Sequence, residues 1–503
     1  MYNLIRELPD CGICCPKTVS LLLQVNYLLS RIPDGFLQAF ESLKVLNLSE
    51  TSIRSLPQSI LQLGDLQVLL LTECSALEES PEVGGLSKLQ MLLLKGCYAL
   101  EELPQLDGLS KLQVLDCSET GLRKLPSGMK NLINLRQLLL SRTDKLENIQ
   151  SGIISGLSSL EVLDMAHSAY VWGLKREVND GQATFEELQN LARLHSLSIR
   201  LEGSPSLQNE DLTLIGRLRI FELHIGPEES YFQSKHDERK LIISGLQLSI
   251  EWIGWLLTNA SSMEVNNFSG LNQMLEKLVI RSIGSYSGLK SLTITKSSSS
   301  LSPGGGCADH DDLLPNLEEL HLYELTKLGS ISELVGFLGL RFSRLKLIDV
   351  RRCDVLEYLL TGGDFIISLP ILETIHVSSC ESLVELFNFP LQENFVPESV
   401  VPNLRTLKLR NLPRLKTLSR QDGSRLRSKF ISCVYHMKAI EQVEVIMCYN
   451  LRKLPLTIQN ANTMKEIRGQ VEWWNRLELE EHDTKSSLRR FFKKPKGQFD
   501  FLS

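Results

Sequence analysis

The chain repeats one pattern of apolar and polar positions along most of its length. From Leu43 an LxxLxL core recurs every 23 residues, and once after 25, with its first leucine at Leu43, Leu66, Leu89, Leu112, Leu135 and Leu160. A fixed period of this kind marks a structural unit that buries its apolar side only when it stacks on neighbouring copies. The core leucines are predicted to point into the stack. In the second copy the residues between them, Gln67, Val68 and Leu70, are predicted to face outward on a short strand.

The period predicts the fold. Leucine-rich repeats recur at about 20 to 29 residues, so we expect an α/β leucine-rich-repeat solenoid (horseshoe). It should have a parallel β-sheet on the concave face and irregular loops and short helices on the convex face. The register continues at intervals of 20 to 36 residues, with cores at Leu194, Leu218, near Glu238, near Ala260, and at Leu289, Leu317, Leu345, Leu372, Leu404 and Ile440. The pattern amounts to about seventeen repeats.

A small polar or thiol residue follows the last core leucine by three positions in several copies. Leucine-rich repeats have Asn or Cys at this place. Such a side chain can lie inside the turn and bond backbone groups that the strand leaves unpaired. We therefore predict a structural turn role for Asn3, Asn26, Cys74, Cys97, Cys353, Cys380 and Cys448.

Interruptions of the pattern divide the chain into segments. A Ser- and Gly-rich run cannot pack a core and is predicted to be a loop. The end of the chain is polar and contains a basic stretch, SLRRFFKKPK, which is either a solvated terminus or a contact for an acidic surface or a nuclear address. The predicted segments are an N-terminal array at 1–296 (regular at 18–165, irregular at 166–296), the loop at 297–312, a C-terminal array at 313–468 and a polar tail at 469–503.

Composition and charge argue against several classes of partner. The chain has 54 Lys and Arg against 60 Asp and Glu, and aromatic residues make up 6% of it. This balance gives no case for nucleic-acid or membrane binding. No apolar run reaches the roughly 18 residues of a membrane span, and the N-terminus has no secretory apolar region. Since the thiols are spread along the strands rather than grouped as a disulfide framework, we expect an intracellular, cytoplasmic protein without a transmembrane segment.

Catalytic and metal-binding motifs find little support. The chain has no HExxH, GxSxG or kinase signature, so no enzymatic activity and no cofactor are predicted. Cys307, His310 and the neighbouring aspartates could ligate a metal, but no second ligand group accompanies them at a telling spacing. Cys11, Cys14 and Cys15 likewise offer only half of a zinc site. We therefore predict no metal site.

The outward strand positions are the best candidate for a binding surface, because stacked strands present them as one broad face. The early copies carry Glu50, Glu73, Asp116, Glu119 and Asp164 there, and the later copies carry Lys346, Arg351, Arg352, Arg405, Lys408 and Arg410. We hypothesise that a face acidic toward one end and basic toward the other steers a protein partner of opposite polarity. The alternative is that these charges only keep the sheet soluble and unpaired.

The first residues fall in the middle of a repeat. Aligning residues 3–9 with residues 51–57 puts Asn3 at the turn position and the strand of that repeat before Met1. A terminal repeat normally carries a polar cap. We therefore expect either that more protein precedes Met1 or that the first turn is frayed.

Two longer stretches carry a family resemblance. They are residues 15–57, CPKTVSLLLQVNYLLSRIPDGFLQAFESLKVLNLSETSIRSLP, and residues 466–492, EIRGQVEWWNRLELEEHDTKSSLRRFF. They resemble the opening and the closing block of the leucine-rich-repeat part of plant intracellular immune receptors of the coiled-coil, nucleotide-binding type. The resemblance implies a role in defence. In that role the repeats restrain a nucleotide-binding switch and help to sense a pathogen effector or a host protein that the effector alters.

The sequence departs from that family at the switch. It contains no GxxxxGK[ST] phosphate loop and no His-Asp motif of the kind that closes the nucleotide-binding region. Nucleotide binding is therefore not carried over to these residues. We predict a non-enzymatic recognition and autoinhibitory part whose partner is an effector, a guarded host protein or a nucleotide-binding domain. Two alternatives stay open: a fragment of an ADP- or ATP-binding switch protein with an upstream phosphate-loop domain, and a stand-alone repeat adaptor such as a ubiquitin-ligase substrate adaptor.

Overall fold

Each LxxLxL core becomes one short parallel strand. The computed structural model describes residues 5–10, 12–79, 82–173, 181–202, 209–227, 239–245, 256, 258–267, 286–297, 314–333, 342–361, 369–388, 401–419, 437–479 and 482–495. The chain divides into two compact units, Met1–Leu241 and Ile242–Ser503. The predicted loop at 297–312 lies, apart from Ser297, outside the described residues.

The strands of the first unit form a parallel sheet in which each strand pairs with the next along the chain. Their bounds are β1 (Ser20–Leu22), β2 (Val45–Asn47), β3 (Val68–Leu70), β4 (Met91–Leu93), β5 (Val114–Asp116), β6 (Gln137–Leu139), β7 (Val162–Asp164), β8 (Ser196–Leu201) and β9 (Ile220–Ile225). The register is uniform: Leu46 lies opposite Leu69, and Leu69 opposite Leu92. Identical positions of successive repeats therefore form continuous rows across the sheet.

The core leucines are the reason that these short strands hold together. The first leucine of each regular repeat, from Leu43 to Leu160, has no exposed surface, and Leu66, Leu69 and Leu71 are all fully buried. Gln67, Val68 and Leu70 face outward and are partly exposed. Burying one leucine side chain contributes about 1.5–3 kcal/mol. The stack of leucines thus stabilises strands that would be too short to pair in isolation.

Short helices lie between the strands of the first unit. They are α1 (Asp34–Leu37), α2 (Glu186–Gln189), α3 (Asn209–Arg217) and the 3₁₀ helices Gln58–Gln62 and Ser127–Asn131. The two 3₁₀ helices follow directly after Pro57 and Pro126, whose backbones are extended. Proline suits this place because its fixed φ and missing N–H cost nothing just before a helix begins.

The second unit repeats the arrangement with longer strands. Following β10 (Arg239–Ser244) at the boundary, its main sheet contains β11 (Ser262–Asn266), β12 (Ser291–Thr295), β13 (Glu319–Tyr323), β14 (Leu347–Arg351), β16 (Thr374–Ser378), β18 (Thr406–Arg410), β20 (Gln442–Ile446), β21 (Glu466–Gly469) and β22 (Phe492–Lys493). A second parallel sheet is formed by β15 (Tyr358–Thr361), β17 (Glu385–Asn388) and β19 (Thr417–Ser419). The predicted leucine-rich-repeat fold with a parallel sheet is confirmed.

Part of the segment predicted to be a polar tail is folded. It contains α4 (Val471–Arg476), α5 (His482–Leu488) and the 3₁₀ helix Arg489–Phe491, after an earlier 3₁₀ helix at Ile458–Asn462. Trp473 and Trp474 are buried, and the Trp473 indole N–H donates to the Leu451 carbonyl (3.1 Å). Trp474 stacks on Phe492, with ring centroids 4.8 Å apart. Trp473 therefore ties this otherwise polar stretch to the last repeats, while Trp474 packs within the stretch itself. Among the described residues, no helix combines the length and the apolar character that crossing a membrane requires.

Candidate functional site

A buried side chain closes the turn that follows each early strand. In Asn26, Cys74 and Cys97 it stands three positions after the last core leucine. Asn26 Nδ2 donates to the Leu23 carbonyl (2.7 Å), and Cys74 Sγ donates to the Leu48 carbonyl of the preceding repeat (3.1 Å). Cys97 makes the equivalent contact one repeat later, also at 3.1 Å. These donors satisfy carbonyl groups at the ends of the short strands.

Hydroxyl residues occupy the same place in other early repeats, and the sequence-based prediction missed them. Thr120 Oγ1 donates to the Cys117 carbonyl and Thr143 Oγ1 to the Leu140 carbonyl, both at 2.7 Å. The spacing could have revealed them, since each stands eight residues after its first core leucine, as Cys74 does. A rule that asks only for Asn or Cys is too narrow, because any small donor can reach the carbonyl.

The turn thiols of the second unit are also buried. Cys380 Sγ and Cys448 Sγ lie 3.5 Å and 3.4 Å from the carbonyl oxygens two residues earlier. Burial raises the pKa of Cys448 and of Cys97 to about 12, so both thiols stay protonated and able to donate. Cys353 is fully buried in the same place. Asn3 lies outside the described residues.

The geometry of the metal-binding candidates from the sequence cannot be compared with a metal site, because most of them lie outside the described residues. Cys11 and residues 307–312 lie outside the described residues, while Cys14 is exposed and Cys15 half-buried. Within the described part of the chain, no group of three or more His, Cys, Asp or Glu side chains is placed to hold a metal ion.

Four of the charged candidates lie in the turn at the end of the strand rather than on the strand itself. Glu50, Glu73, Glu119 and Arg352 have left-handed backbones, with φ between 53° and 60°. Their N–H groups still extend the ladder of backbone hydrogen bonds, as when Glu73 N–H donates to the Lys95 carbonyl (2.7 Å). These side chains therefore form one margin of the surface that we call the strand face, meaning the outward strand residues together with this turn residue.

The remaining acidic candidates lie on the strands. Asp116 and Asp164 end β5 and β7, and each Oδ1 accepts the backbone N–H two residues later, at 2.9 and 3.0 Å. Burial and the nearby Glu222 and Asp116 raise the pKa of Asp164. All five acidic candidates therefore lie along β2 to β7, on one strand face of the first unit.

Most of the basic candidates are paired with acidic neighbours. The ion pairs are Lys346–Glu318 (2.7 Å), Arg351–Asp349 (2.9 Å), Arg352–Glu324 (3.0 Å) and Arg410–Glu444. A cation whose carboxylate partner lies within hydrogen-bond distance projects little field beyond it. The list of basic residues alone therefore overstates how basic the strand face of the second unit is.

Charge alternates from strand to strand in the second unit. The residue just before each strand is in turn Lys290, Glu318, Lys346, Glu373, Arg405, Glu441 and Lys465. Backbone hydrogen bonds join each of these residues to the next, from Glu318 N–H to the Lys290 carbonyl (2.7 Å) through to Lys465 N–H and the Glu441 carbonyl (2.7 Å). Opposite charges on adjacent strands favour this register, whereas like charges would oppose it. Sequence reasoning named Lys346 and Arg405 but missed their acidic partners.

A buried carboxylate forms the centre of a polar cluster on the strand face of the second unit. Asp349 lies between His321 and His376 in the sheet register, and its side chain is only 8% exposed. It accepts hydrogen bonds from the Tyr323 hydroxyl (2.9 Å) and from Arg351, and His376 Nδ1 lies 3.2 Å from its Oδ1. Burial alone would raise the pKa of Asp349, but interactions with His321, His376 and Arg351 outweigh it and hold that pKa well below its usual range.

His321 experiences the opposite effect. Burial lowers its pKa, but interactions with Asp349 and Glu319 outweigh burial and raise the pKa of His321 to about 9. His321 Nε2 lies 3.4 Å from Glu319 Oε2, and Nδ1 lies 3.1 Å from the Tyr323 hydroxyl. The cluster is thus an ion network built across neighbouring strands. The repeat spacing could have revealed this cluster, since His321, Asp349 and His376 each stand four residues after a first core leucine.

Fold, turn contacts and rows of outward side chains together define a leucine-rich-repeat protein. Three family models match the chain: "Leucine rich repeat" at residues 16–75, "Leucine-rich repeat region" at 79–327 and "Plant disease resistance protein RPS2-like, leucine-rich repeats" at 340–468. The chain therefore belongs to the leucine-rich-repeat family found in plant disease resistance proteins.

Individual relatives agree with this assignment. The chain is 39% identical to Disease resistance protein At4g27190 of Arabidopsis thaliana over 98% of its own length, and 38% identical to Probable disease resistance protein At4g27220 over 94%. It spans 47% of the length of each of these relatives. Among solved structures, the leucine-rich-repeat protein LIC12759 of Leptospira interrogans is similar at 19% identity, with a TM-score of 0.45, covering 67% of this chain and 79% of that one.

Proposed function

We propose that this chain is the recognition and restraining part of a plant disease-resistance receptor. Identity of 39% to an Arabidopsis disease resistance protein over 98% of the chain carries the proposal. In this role the strand face binds a pathogen effector or a host protein that an effector alters. In the absence of that signal, the same repeats hold a nucleotide-binding switch inactive.

The architecture of the repeats supports a binding role. Stacked leucine-rich repeats present rows of side chains at fixed spacing, and such surfaces suit the recognition of extended protein partners. The strands are short but their core leucines are fully buried, so the face is held rigid before a partner arrives. Pre-organisation of this kind lowers the conformational cost of association.

Restraint of a switch is a separate part of the proposal. The relatives that carry the name disease resistance protein are about twice as long as this chain, which covers 47% of each. The alternative in which these repeats act as one part of a longer ADP- or ATP-binding switch protein draws on the same fact. No feature of the described residues favours a ubiquitin-ligase adaptor.

The restraint is tested by expressing the whole chain in leaf tissue together with an autoactive nucleotide-binding portion of a related receptor. We expect the chain to reduce the cell death that the autoactive portion causes. A Leu115→Asp variant, which places a carboxylate in the fully buried core of β5, is the matched control and should not reduce it. Equal cell death with the wild-type chain and the control would contradict restraint.

Recognition needs its own measurement. Proximity labelling with the tagged whole chain, before and after pathogen challenge, should enrich a protein only in the challenged tissue. The Leu115→Asp control should lose that enrichment. A labelling pattern that challenge does not change would contradict the recognition role.

A further inference from the structure

An apolar stripe crosses the strand face of the first unit. Its members occupy the two outward rows of β2 to β5 and are Val45, Val68, Leu70, Met91, Leu93 and Val114. All six are partly exposed. The same rows also hold Asn47 at the end of β2 and Asp116 at the end of β5. None of the six apolar side chains belongs to the leucine core, because the alternation of the strand points them to the opposite side of the sheet.

The sheet register makes the stripe continuous. Val45 lies opposite Val68, which lies opposite Met91, and Leu70 lies opposite Leu93. With neighbouring strands about 4.8 Å apart, the stripe is roughly 14 Å long, and its two rows are about 6.6 Å apart. Outward positions of a sheet that faces water are ordinarily polar, and contiguous exposed apolar surface marks an interaction site.

The fold does not itself require apolar residues at these places. The equivalent positions of the second unit include Thr374 and Thr406 in one row and Asp349, His376 and Lys408 in the other. The strands of the second unit nevertheless pair in a register as regular as that of β2 to β7. Among the described strands, the apolar stripe is therefore confined to the first unit and calls for an explanation other than folding.

Acidic side chains border one side of the stripe. The turn margin of β2 to β5 carries Glu50, Glu73 and Glu119 against one cation, Lys95, which lies 3.5 Å from Glu119. The opposite margin of the same strands is mostly neutral, with Gln67, Gln90 and Gln113 in a row. The stripe thus has an acidic margin on one side and a mostly neutral margin on the other.

We propose that the stripe binds a peptide segment of a partner protein, apolar where it meets the stripe and carrying Lys or Arg where it meets Glu50, Glu73 and Glu119. The apolar contact supplies the affinity by removing both surfaces from water. The acidic margin supplies orientation and a faster encounter. The inference names the chemistry of a partner for the recognition role proposed above and rests on that role.

Binding is tested with the whole chain and two synthetic peptides of roughly 20 residues, long enough to cross the stripe either as a helix or as an extended chain. Both peptides carry the same apolar residues, and one has lysines where the other has glutamates. We expect the lysine peptide to bind about tenfold or more tightly, which corresponds to about 1.4 kcal/mol. Its association rate should fall as salt is added, while that of the glutamate peptide should not.

Two sets of variants locate the site. Leu70→Glu with Leu93→Glu should weaken the lysine peptide about tenfold or more, because it places carboxylates in the apolar contact. The matched control, Thr374→Glu with Thr406→Glu, makes the same number of changes on the strand face of the second unit and should leave binding unchanged. Glu50→Lys with Glu73→Lys and Glu119→Lys should reverse the preference between the two peptides.

Several outcomes would overturn the proposal. Equal binding of the two peptides would remove the role of the acidic margin, and wild-type binding by the Leu70 and Leu93 variant would remove the role of the stripe. Sedimentation of the chain as a dimer that this variant dissociates would assign the stripe to a second copy instead. The peptide assay involves neither cell death nor pathogen challenge, so its failure is distinguishable from failure of the proposed function.

Discussion

The Arg351 guanidinium donates two hydrogen bonds to the Asp349 carboxylate two residues earlier in the same strand, at 3.1 and 2.9 Å. Its guanidinium carbon also lies 5.3 Å from the centre of the Tyr323 ring. Arg351 is therefore held on two sides by its own unit. A residue that the sequence offers as an exposed cation for a partner instead stabilises the sheet, and this changes what its substitution would report.

Replacing Asp349 with Asn should destabilise the second unit strongly. The change leaves Arg351, His321 and His376 gathered around a neutral group, and removing one member of a buried ion network costs about 3–5 kcal/mol. The measurement is the free energy of unfolding from a urea titration. The control is Asp354→Asn, at an exposed position in the turn that follows β14. It should cost less than about 0.5 kcal/mol. Similar losses for both variants would contradict the central role of Asp349.

The contribution of His321 should depend on pH. Its pKa is about 9 in the folded protein against an ordinary 6.5, so it stabilises the fold fully below about pH 6.5 and loses that contribution as pH rises through 9. The shift corresponds to at most about 3 kcal/mol. The pKa of Asp349 is lowered, so its contribution is present above about pH 4 and is lost as pH falls further. The two effects overlap between about pH 4 and 6.5.

A His321→Gln variant measures the pH range over which His321 stabilises the fold. Its free energy of unfolding should fall furthest below that of the wild type near pH 5.5, and the difference should shrink by pH 9.5. Glu319, Tyr323 and Asp349 are the titratable groups in contact with His321, so a titration of the His321 ring by NMR assigns the effect to the right group. A difference that stays constant from pH 5.5 to 9.5 would contradict the assignment.

The regular repeats were the part of the fold that the sequence predicted best. Between Leu43 and Leu160 each strand and each core leucine follows from the period, because each repeat packs on a neighbour of nearly the same sequence. The last residues were predicted less well. Their polar composition hid Trp473 and Trp474, two apolar side chains that are buried in this segment.

The binding surface was harder to predict than the fold, for a physical reason. The sequence lists charges one at a time, whereas the field at a surface depends on which charges lie together. Lys346 and Glu318 are 28 residues apart along the chain and 2.7 Å apart in space. The apolar residues of the stripe were visible in the sequence as outward positions, as with Val68 and Leu70. Only the register shows that they join across strands.

The turn position should accept Thr but not Val in place of Cys74. Val and Thr have the same shape, but only Thr retains a donor, which can bond the carbonyl three residues earlier as the hydroxyls of Thr120 and Thr143 do. Cys74→Thr should lie within about 1 kcal/mol of the wild type, and Cys74→Val about 1–3 kcal/mol below Cys74→Thr. Urea titration of the two variants measures the difference. Equal stability of the pair would mean that packing of the side chain, rather than its hydrogen bond, explains the residue at this turn.

The left-handed turn should discriminate between substitutions at Glu73. Its φ is 60°, a conformation that Asn tolerates and that a β-branched side chain resists by about 1–2 kcal/mol. Glu73→Val should therefore lower the free energy of unfolding by about that amount relative to Glu73→Asn. The same two replacements at Gln67, just before the strand, provide the control. There Val should be at least as stable as Asn, because the backbone is extended. No difference between the two variants at residue 73 would show that the turn changes its backbone at little cost.

Alternating charges in the second unit should be coupled in pairs. Lys346→Glu places three carboxylates in sequence along the row, next to Glu318 and Glu373, whereas Lys346→Glu with Glu318→Lys restores an oppositely charged neighbour on one side. A double-mutant cycle on the free energy of unfolding should give a coupling of about 0.2–1 kcal/mol, since both side chains are partly exposed. The coupling should weaken when salt is raised to about 1 M, where the Debye length falls to about 3 Å. If the cycle shows no coupling at low salt, Lys346 acts as an independent cation. The basic residues on the strand face of the second unit would then regain the steering role that ion pairing takes from them.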